Sequence, residues 1–353
     1  MNYFGLPTPS KELGIAGINL GFGFSKFVLD GQEDSFMSVV TACRQGIHNR
    51  PTIASIPLNM VTVDNTCYEV GQEAALAAWH EPLKLIARDW ALSTQYRVLS
   101  KSIIQRMAMM SKPRWRIYTG LAADHIKDAD YRHTVEQIWY GQNGVHHTPF
   151  GRVEIEAVKV IPETAGGFMS LRGDKAFRPA MERNAGVIID FGRMTVNWVP
   201  FNLGTMDLST VGSCDIGMSQ VIDDLLKQLR PITRPTLNAV EVEAAIMGIS
   251  PIRVPKAVQG SISDEVVPIS ERLQTSIDGI WPRIFQQITN QVGNLQGKVV
   301  IAIGGGAQLF EANLKRSFPK TAVMCAPGGQ FANARGLYAI AAMDASIEAK
   351  KSS

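Results

Sequence analysis

A strand–turn–strand block occurs twice in this chain and constrains its fold more than any other feature. The first copy is Ile18-Asn-Leu-Gly-Phe-Gly-Phe-Ser-Lys-Phe27 and the second is Ile188-Ile-Asp-Phe-Gly-Arg-Met-Thr-Val-Asn-Trp198. Each is an apolar run, a turn with glycine and a small hydroxyl residue, then a second apolar run, the pattern of a β-hairpin. One copy lies in each half of the chain. Two such turns can face each other and grip a polyphosphate from opposite sides, because glycine lets backbone N–H groups approach an anion closely. A third glycine cluster, Ile301-Ala-Ile-Gly-Gly-Gly-Ala307, ends a later strand and can hold the rest of a nucleotide.

The elements around these blocks repeat as well. Residues 1–12, with Pro7 and Pro9, read as a loose leader. Strands are expected over 14–20 and 25–29, then an irregular sub-lobe from about 32 to 90, broken by Pro51 and Pro57 and holding a short helix over 72–79. Apolar spacing predicts helices over 94–110 and 128–140, the second capped by Asp128, and strands over 116–120 and 153–161. The second half predicts strands over 186–190, 195–200 and 205–211, and helices over 216–229, 236–247 and 265–292, the last broken or kinked at Pro282. A buried strand over 298–303, a helix over 308–317, a strand over 322–325 and a helix over 331–343 close the chain, with a fraying tail from 348. Hairpin-plus-helix units in both halves imply two similar α/β lobes with a cleft between them.

Bulk properties leave room for that plan and exclude others. The chain has 353 residues, enough for two lobes, and its 45% apolar and 19% charged content is that of an ordinary globular protein. A net charge of +3 is too small to argue for direct nucleic-acid binding. No apolar run is long enough to span a bilayer. Cys43, Cys67, Cys214 and Cys325 are scattered without CxxC spacing, which fits a reducing cytoplasm and neither a disulfide scaffold nor a zinc site.

Side chains in the blocks supply the chemistry. Ser25 and Thr195 can add hydroxyl donors to the turns, and Lys26 can place a point charge on a phosphate. The first block is not a Walker A loop, since it lacks the Gly-Lys pair. Asp190 ends an apolar strand, where it can hold magnesium through water or serve as a turn residue. Glu163 follows Pro162 at the start of a helix; it either complements the helix dipole or activates the water that attacks a terminal phosphate. Read alone, either block is also an ordinary hairpin turn. His146-His147 reads as a plain surface loop, and Lys112-Pro-Arg-Trp-Arg116 as a charged start to a strand rather than a single-strand nucleic-acid site.

In this order the blocks resemble the phosphate-1, connect-1, phosphate-2, adenosine and connect-2 motifs of the actin/heat-shock chaperone/sugar kinase superfamily. Connect-1 corresponds to Val160-Ile-Pro-Glu-Thr-Ala-Gly-Gly167 and connect-2 to Phe331-Ala-Asn-Ala-Arg-Gly-Leu-Tyr338. Tyr68-Glu-Val-Gly71 and Tyr118-Thr-Gly-Leu121 are most similar to the plasmid-segregation actins of the ParM/StbA type. The resemblance covers roughly residues 14–343 through short motifs. It implies two actin-like, ribonuclease H-like lobes: 1–163, 164–330, and a C-terminal helix within 331–353 that returns to the first lobe.

The resemblance further implies an ATP- or GTP-binding cytoplasmic protein with Mg2+ that assembles into nucleotide-dependent filaments. Those filaments would segregate plasmid DNA through a DNA-binding adaptor protein, without direct contact to nucleic acid or membrane, and turn over as a slow ATPase. Glu163 and Asp190 carry the catalytic roles. The nucleotide falls to Asn19, Gly21, Phe22, Gly23, Ser25, Lys26, Gly192, Arg193, Met194, Thr195, Gly304, Gly305 and Gly306, and hydrated magnesium to Asp190 and Asn19. Two departures stand out. Asn19 occupies the family's phosphate-1 aspartate position, and Arg193 follows Gly192 where a small residue is usual. Asn197 also replaces a frequent acidic residue. These changes favour nucleotide binding over fast hydrolysis. A small-molecule kinase of the sugar type and a nucleotide-binding scaffold without turnover remain as alternatives, and a chaperone is disfavoured because little chain is left for a substrate domain.

Overall fold

A computed structural model describes residues 12–43, 58–77, 89–258 and 261–352. The leader before residue 12, Pro51 and Pro57 of the sub-lobe, and the end of the expected 72–79 helix lie outside the described residues. The first hairpin is β1 (Leu13–Leu20) and β2 (Phe24–Leu29), extended by β3 (Gln32–Met37). A small sheet of β4 (Val40–Ala42), β5 (Met60–Val63) and β6 (Thr66–Val70) follows, with α1 (Gln72–Ala77). Then come α2 (Thr94–Ala108), β7 (Arg114–Leu121), α3 (Ala123–Ile126), α4 (Ala129–Tyr140), β8 (Val145–Thr148) and β9 (Gly151–Pro162).

The second half opens with α5 (Glu163–Gly173) and α6 (Arg178–Arg183), then the hairpin β10 (Ala185–Phe191) and β11 (Val196–Asn202). It continues through β12 (Thr205–Met206), β13 (Gly212–Cys214), α7 (Met218–Leu229), α8 (Ala239–Ile246), β14 (Arg253–Val258) and β15 (Ser261–Val266). The chain ends with α9 (Ser270–Val292), β16 (Val299–Ile303), α10 (Ala307–Ser317), β17 (Ala322–Cys325) and α11 (Ala332–Ser352).

The two halves are α/β lobes built on one plan. The first sheet runs β3-β2-β1-β7-β9-β8 and the second β12-β11-β10-β16-β17. In each, the first hairpin strand pairs antiparallel with its partner and parallel with a later strand: β1 with β2 and β7, β10 with β11 and β16. Central strands covered on both faces should be apolar without alternation. β1 is buried from Gly14 onward, and every residue of β16 is buried. Helices α2 and α4 supply one apolar core through Leu99, Ile103, Val135 and Trp139. Helices α7, α9 and α10 supply the other; Val221, Ile222, Leu225, Leu226 and Leu229 of α7 form one stripe at helical spacing.

Helices α5 and α11 join the lobes by crossing at very short range. A side chain at Gly336 would overlap the Gly166 carbonyl oxygen, one at Gly166 would overlap the Asn333 carbonyl, and one at Gly17 of β1 would overlap the α11 backbone. The C-terminal helix is pinned to the first sheet by polar contacts: Arg116 to Glu348, Tyr118 and Lys159 to Asp344, and Arg335 to Glu33. These contacts correct the expected fraying from 348, since α11 runs on to Ser352.

Other corrections have equally local causes. The expected 265–292 helix begins at Ser270, and Val266 belongs instead to the unforeseen hairpin β14–β15; α9 continues through Pro282. The expected strand over 205–211 is the two-residue β12 followed by a 3-10 turn capped by Asp207. The His146-His147 pair lies in β8, with His146 Nε2 bonded to the Trp139 carbonyl. Cys43 and Cys67 form a disulfide at the end of β4 and β6, against the reading of four scattered thiols. Cys214 and Cys325 are free.

Replacing Gly336 by alanine tests the helix crossing. In an open helix the change stabilises by up to about 1 kcal/mol, whereas here the new methyl meets backbone, and overpacking costs about 1–3 kcal/mol. Urea unfolding of Gly336→Ala should therefore give a lower midpoint than wild type, not a higher one.

Candidate functional site

The two hairpin turns are the same structure made twice. In the first, the Gly21 amide donates to the Phe24 carbonyl at 3.2 Å; in the second, Gly192 donates to Thr195 at 3.0 Å. Counting from these bonds, Asn19 corresponds to Asp190, Phe22 to Arg193 and Lys26 to Asn197. The strand registers agree, because Asn19 pairs with Lys26 and Asp190 with Asn197. Both turns open onto one cavity of about 540 Å3 between the lobes.

Glu163, Asp190 and every residue expected at the nucleotide except Ser25 line this cavity. Ser25 fails because strand alternation sends Phe24 and Lys26 to the cavity face and Ser25 to the opposite one. Its hydroxyl bonds Ser38 at 2.9 Å, and Ser38 Oγ donates to the Gly21 carbonyl at 2.6 Å. Ser25 thus braces the turn from behind.

The glycine cluster completes the cavity. Gly304 has a φ of +91°, and a side chain there would collide with Asp190 Oδ1. The Gly306 amide donates to the Phe191 carbonyl, and α10 begins directly after it, which puts Gln308 of its first turn on the cavity wall.

Two buried amides fix the carboxylates. Asn197 Nδ2 donates to Glu163 Oε1 at 2.7 Å, and Asn333 Nδ2 donates to Asp190 Oδ2 at 2.6 Å. The Oδ1 atoms of both asparagines are buried without a hydrogen-bond partner. Neither Asn333 nor Ser38 was expected at the site; Asn333 lies inside the connect-2 segment, and nothing local marks Ser38. Glu163 sits at the first position of α5, close against Gly120, whose missing side chain would meet Glu163 Cβ at 2.7 Å.

Electrostatics in the cleft follow from burial. Desolvation pushes the Glu163 carboxyl up to about 8; the Asp190 charge pushes the same way, and Lys26 opposes both. Asp190 is raised as well, chiefly by burial, against its Asn333 hydrogen bond and Lys26. Burial lowers the Lys26 ammonium despite the pull of Asp190, Glu163 and Glu243. The donor set suits an anion: glycine-turn amides, a helix N-terminus, a lysine and an arginine. It does not suit a directly ligated metal. Among the described residues no three His, Cys, Asp or Glu side chains cluster in that way, and Asp190 already accepts from Asn333.

No curated protein sequence matches the chain. The family described as the N-terminal domain of actin-like proteins matches residues 17–166, which begin within β1 and run through β7 and β9 to the start of α5. Among solved structures, the actin-like protein Alp7A superposes with a TM-score of 0.70 at 12% identity, covering 96% of this chain and 99% of that one. The fold is actin-like. A 15-stranded ParM filament from Clostridium botulinum gives 0.67 at 16% identity, covering 94% and 99% of the two chains. An archaeal actin homolog, Ta0583, in complex with ADP gives 0.65 at 16%, covering 93% and 99%. At such identities the likeness is one of fold. Within that actin-like fold the two turns are asymmetric, with Asn19 in the position equivalent to Asp190 and Arg193 standing where the first turn has Phe22.

The raised Glu163 value makes a stability prediction with a definite sign. A carboxyl with a folded value near 8, against an ordinary 4.5, costs nothing while protonated in both states and progressively more as pH rises between those values. Glu163→Gln keeps the acceptor for Asn197 and removes the charge. Its melting temperature should exceed that of wild type near pH 8.5, with the gain shrinking toward about pH 5; a pH-independent difference would contradict the burial account.

Proposed function

We propose that the cavity binds a nucleoside triphosphate and that the chain is an actin-like, filament-forming cytoplasmic protein. The observation that carries this reading is the pair of equivalent glycine turns, one from each lobe, opening onto the same cavity. Residues 1–163 act as one jaw and 164–330 as the other, with 331–353 returning to the first. Gly21, Phe22, Gly23 and Lys26 meet the phosphates from one side; Gly192, Arg193, Met194 and Thr195 meet them from the other. Gly304, Gly305 and Gly306 receive the nucleoside, ATP or GTP. A magnesium ion accompanying the phosphates meets only water-mediated contacts, at Asp190 and Asn19.

Binding to both jaws favours the closed arrangement by its differential contacts, and a closed subunit presents one fixed surface to the next. Head-to-tail contact between identical subunits then propagates instead of closing. The solved ParM and Alp12 filaments, which share this fold, support that step. Plasmid DNA segregation through a DNA-binding adaptor is the accompanying cellular role, with no direct nucleic-acid contact.

Hydrolysis assigns Glu163 to the attacking water as proton acceptor, oriented by Asn197. Only the ionised form accepts a proton, so a carboxyl near 8 makes turnover slow at neutral pH and faster in mild alkali. Sedimentation with ATP, ADP and no nucleotide tests assembly: a pellet that depends on ATP is expected, and equal monomeric behaviour in all three would sink the filament reading. Phosphate release should rise between about pH 6.5 and 8.5 and fall at least about tenfold in Glu163→Ala. An unchanged rate in that variant would leave a binding scaffold in place of an ATPase.

The aromatic end of the cavity, with Trp90, Tyr96, His125 and Tyr131, favours one second reading, a small-molecule kinase. ATP consumption stimulated by a hydroxylated metabolite would select it.

A further inference from the structure

The second turn carries a cation that the first does not. Arg193 Nη2 lies 2.9 Å from Glu243 Oε2 of α8, and both side chains are only 13% exposed. Arg193 Nε is buried without a hydrogen-bond partner. The aliphatic stem lies against the first jaw: a side chain at Gly23 would meet Arg193 Cδ at 2.6 Å. The backbone beneath is fixed, since the Arg193 carbonyl accepts from the Ser219 amide at 2.7 Å and Met218 donates to the Gly192 carbonyl at 3.1 Å. The guanidinium is therefore held at the junction of the two turns, inside the cavity wall.

Two features indicate that this guanidinium awaits an acceptor. A guanidinium has five N–H donors in a fixed fork, and the pair with Glu243 leaves others unused. A buried donor without a partner carries a desolvation cost that a ligand oxygen removes. A phosphate can thus be added to the Arg193–Glu243 pair without first breaking it. Across the cleft, Asn19 occupies the place equivalent to Asp190 and is neutral. Relative to a cleft with a carboxylate at 19 and a small residue at 193, the charge facing a polyphosphate is more positive by two units. A carboxylate at that point is what would hold a hydrated cation beside the phosphates.

Resting on the triphosphate reading of the cavity, we propose that Arg193 supplies from the chain itself the positive charge that a divalent metal supplies to nucleotide phosphates. Triphosphate binding is then largely independent of metal. Glu243 holds the guanidinium in position while the cleft is empty, and Lys26 adds the second fixed cation. Arginine suits the task because its planar fork bonds two phosphate oxygens at once and keeps its charge at any working pH.

The test measures the affinity of the full chain for a fluorescent ATP analogue by anisotropy, in magnesium and in excess EDTA. Wild type should weaken by less than about tenfold on metal removal. Arg193→Ser, which restores a small residue, should weaken at least about thirtyfold more than wild type in EDTA and far less in magnesium. Arg193→Lys should recover part of the metal-free affinity, since an ammonium also places a positive charge on phosphate; a loss confined to EDTA is the result that a purely structural role for the Glu243 pair would not predict. Thermal melts of each variant establish that the fold is retained. Equal sensitivity to EDTA in wild type and Arg193→Ser overturns the proposal, as does a wild-type loss beyond about a hundredfold. Absence of binding in both conditions defeats the nucleotide reading itself, and the proposal falls with it.

Discussion

The close crossing of α5 and α11 is the constraint on which the rest of the structure depends. Both helices start at the cleft, and they can approach this nearly only because Gly166 and Gly336 carry no side chains. The crossing places Glu163, the first residue of α5, and Asn333, near the start of α11, over the end of β10. A wider crossing would move both away from Asp190 and dissolve the polar cluster. The cost is a pair of helical glycines, roughly 1 kcal/mol each in propensity, offset by the buried contact of two long helices. Since these helices also connect the lobes, the same crossing is where any relative movement of the jaws must be accommodated.

Neutral amides, not opposing charges, hold Glu163 and Asp190 in this cleft. An acidic residue at 197 would stand against Glu163 and drive its carboxyl higher still; asparagine donates a hydrogen bond to it instead. Asn333 does the same for Asp190. The arrangement lets two buried acids and the cations Lys26 and Arg193 share one cavity. It also explains how an elevated Glu163 is compatible with a fixed orientation: the amide sets its direction while burial sets its affinity for the proton.

Much of the fold was legible because its signals are local. A hairpin closed by a Gly21-to-Phe24 or Gly192-to-Thr195 bond needs glycine at defined places, and that need is written in the sequence. The order of the blocks then gave two lobes and a cleft. What stayed hidden depends on contacts between distant residues. Ser38 reaches the first turn from beyond β3, and Asn333 reaches Asp190 across 143 positions. Glu348 holds the C-terminal helix through Arg116, so a polar tail that looked free is ordered. Ser25 was misplaced for a different reason: its residue type suited a phosphate, but strand alternation turned it away. The β14–β15 hairpin stays hidden because its second strand ends at Val266, only a few residues before α9 begins at Ser270.

The central claim is that the two turns form one polyphosphate site spanning both lobes. Amide hydrogen exchange with and without ATP addresses it residue by residue. The account predicts that ATP slows exchange in both segments, 21–24 and 192–195, to a similar degree. Protection confined to one turn, or absent from both while ATP is bound elsewhere, would contradict it.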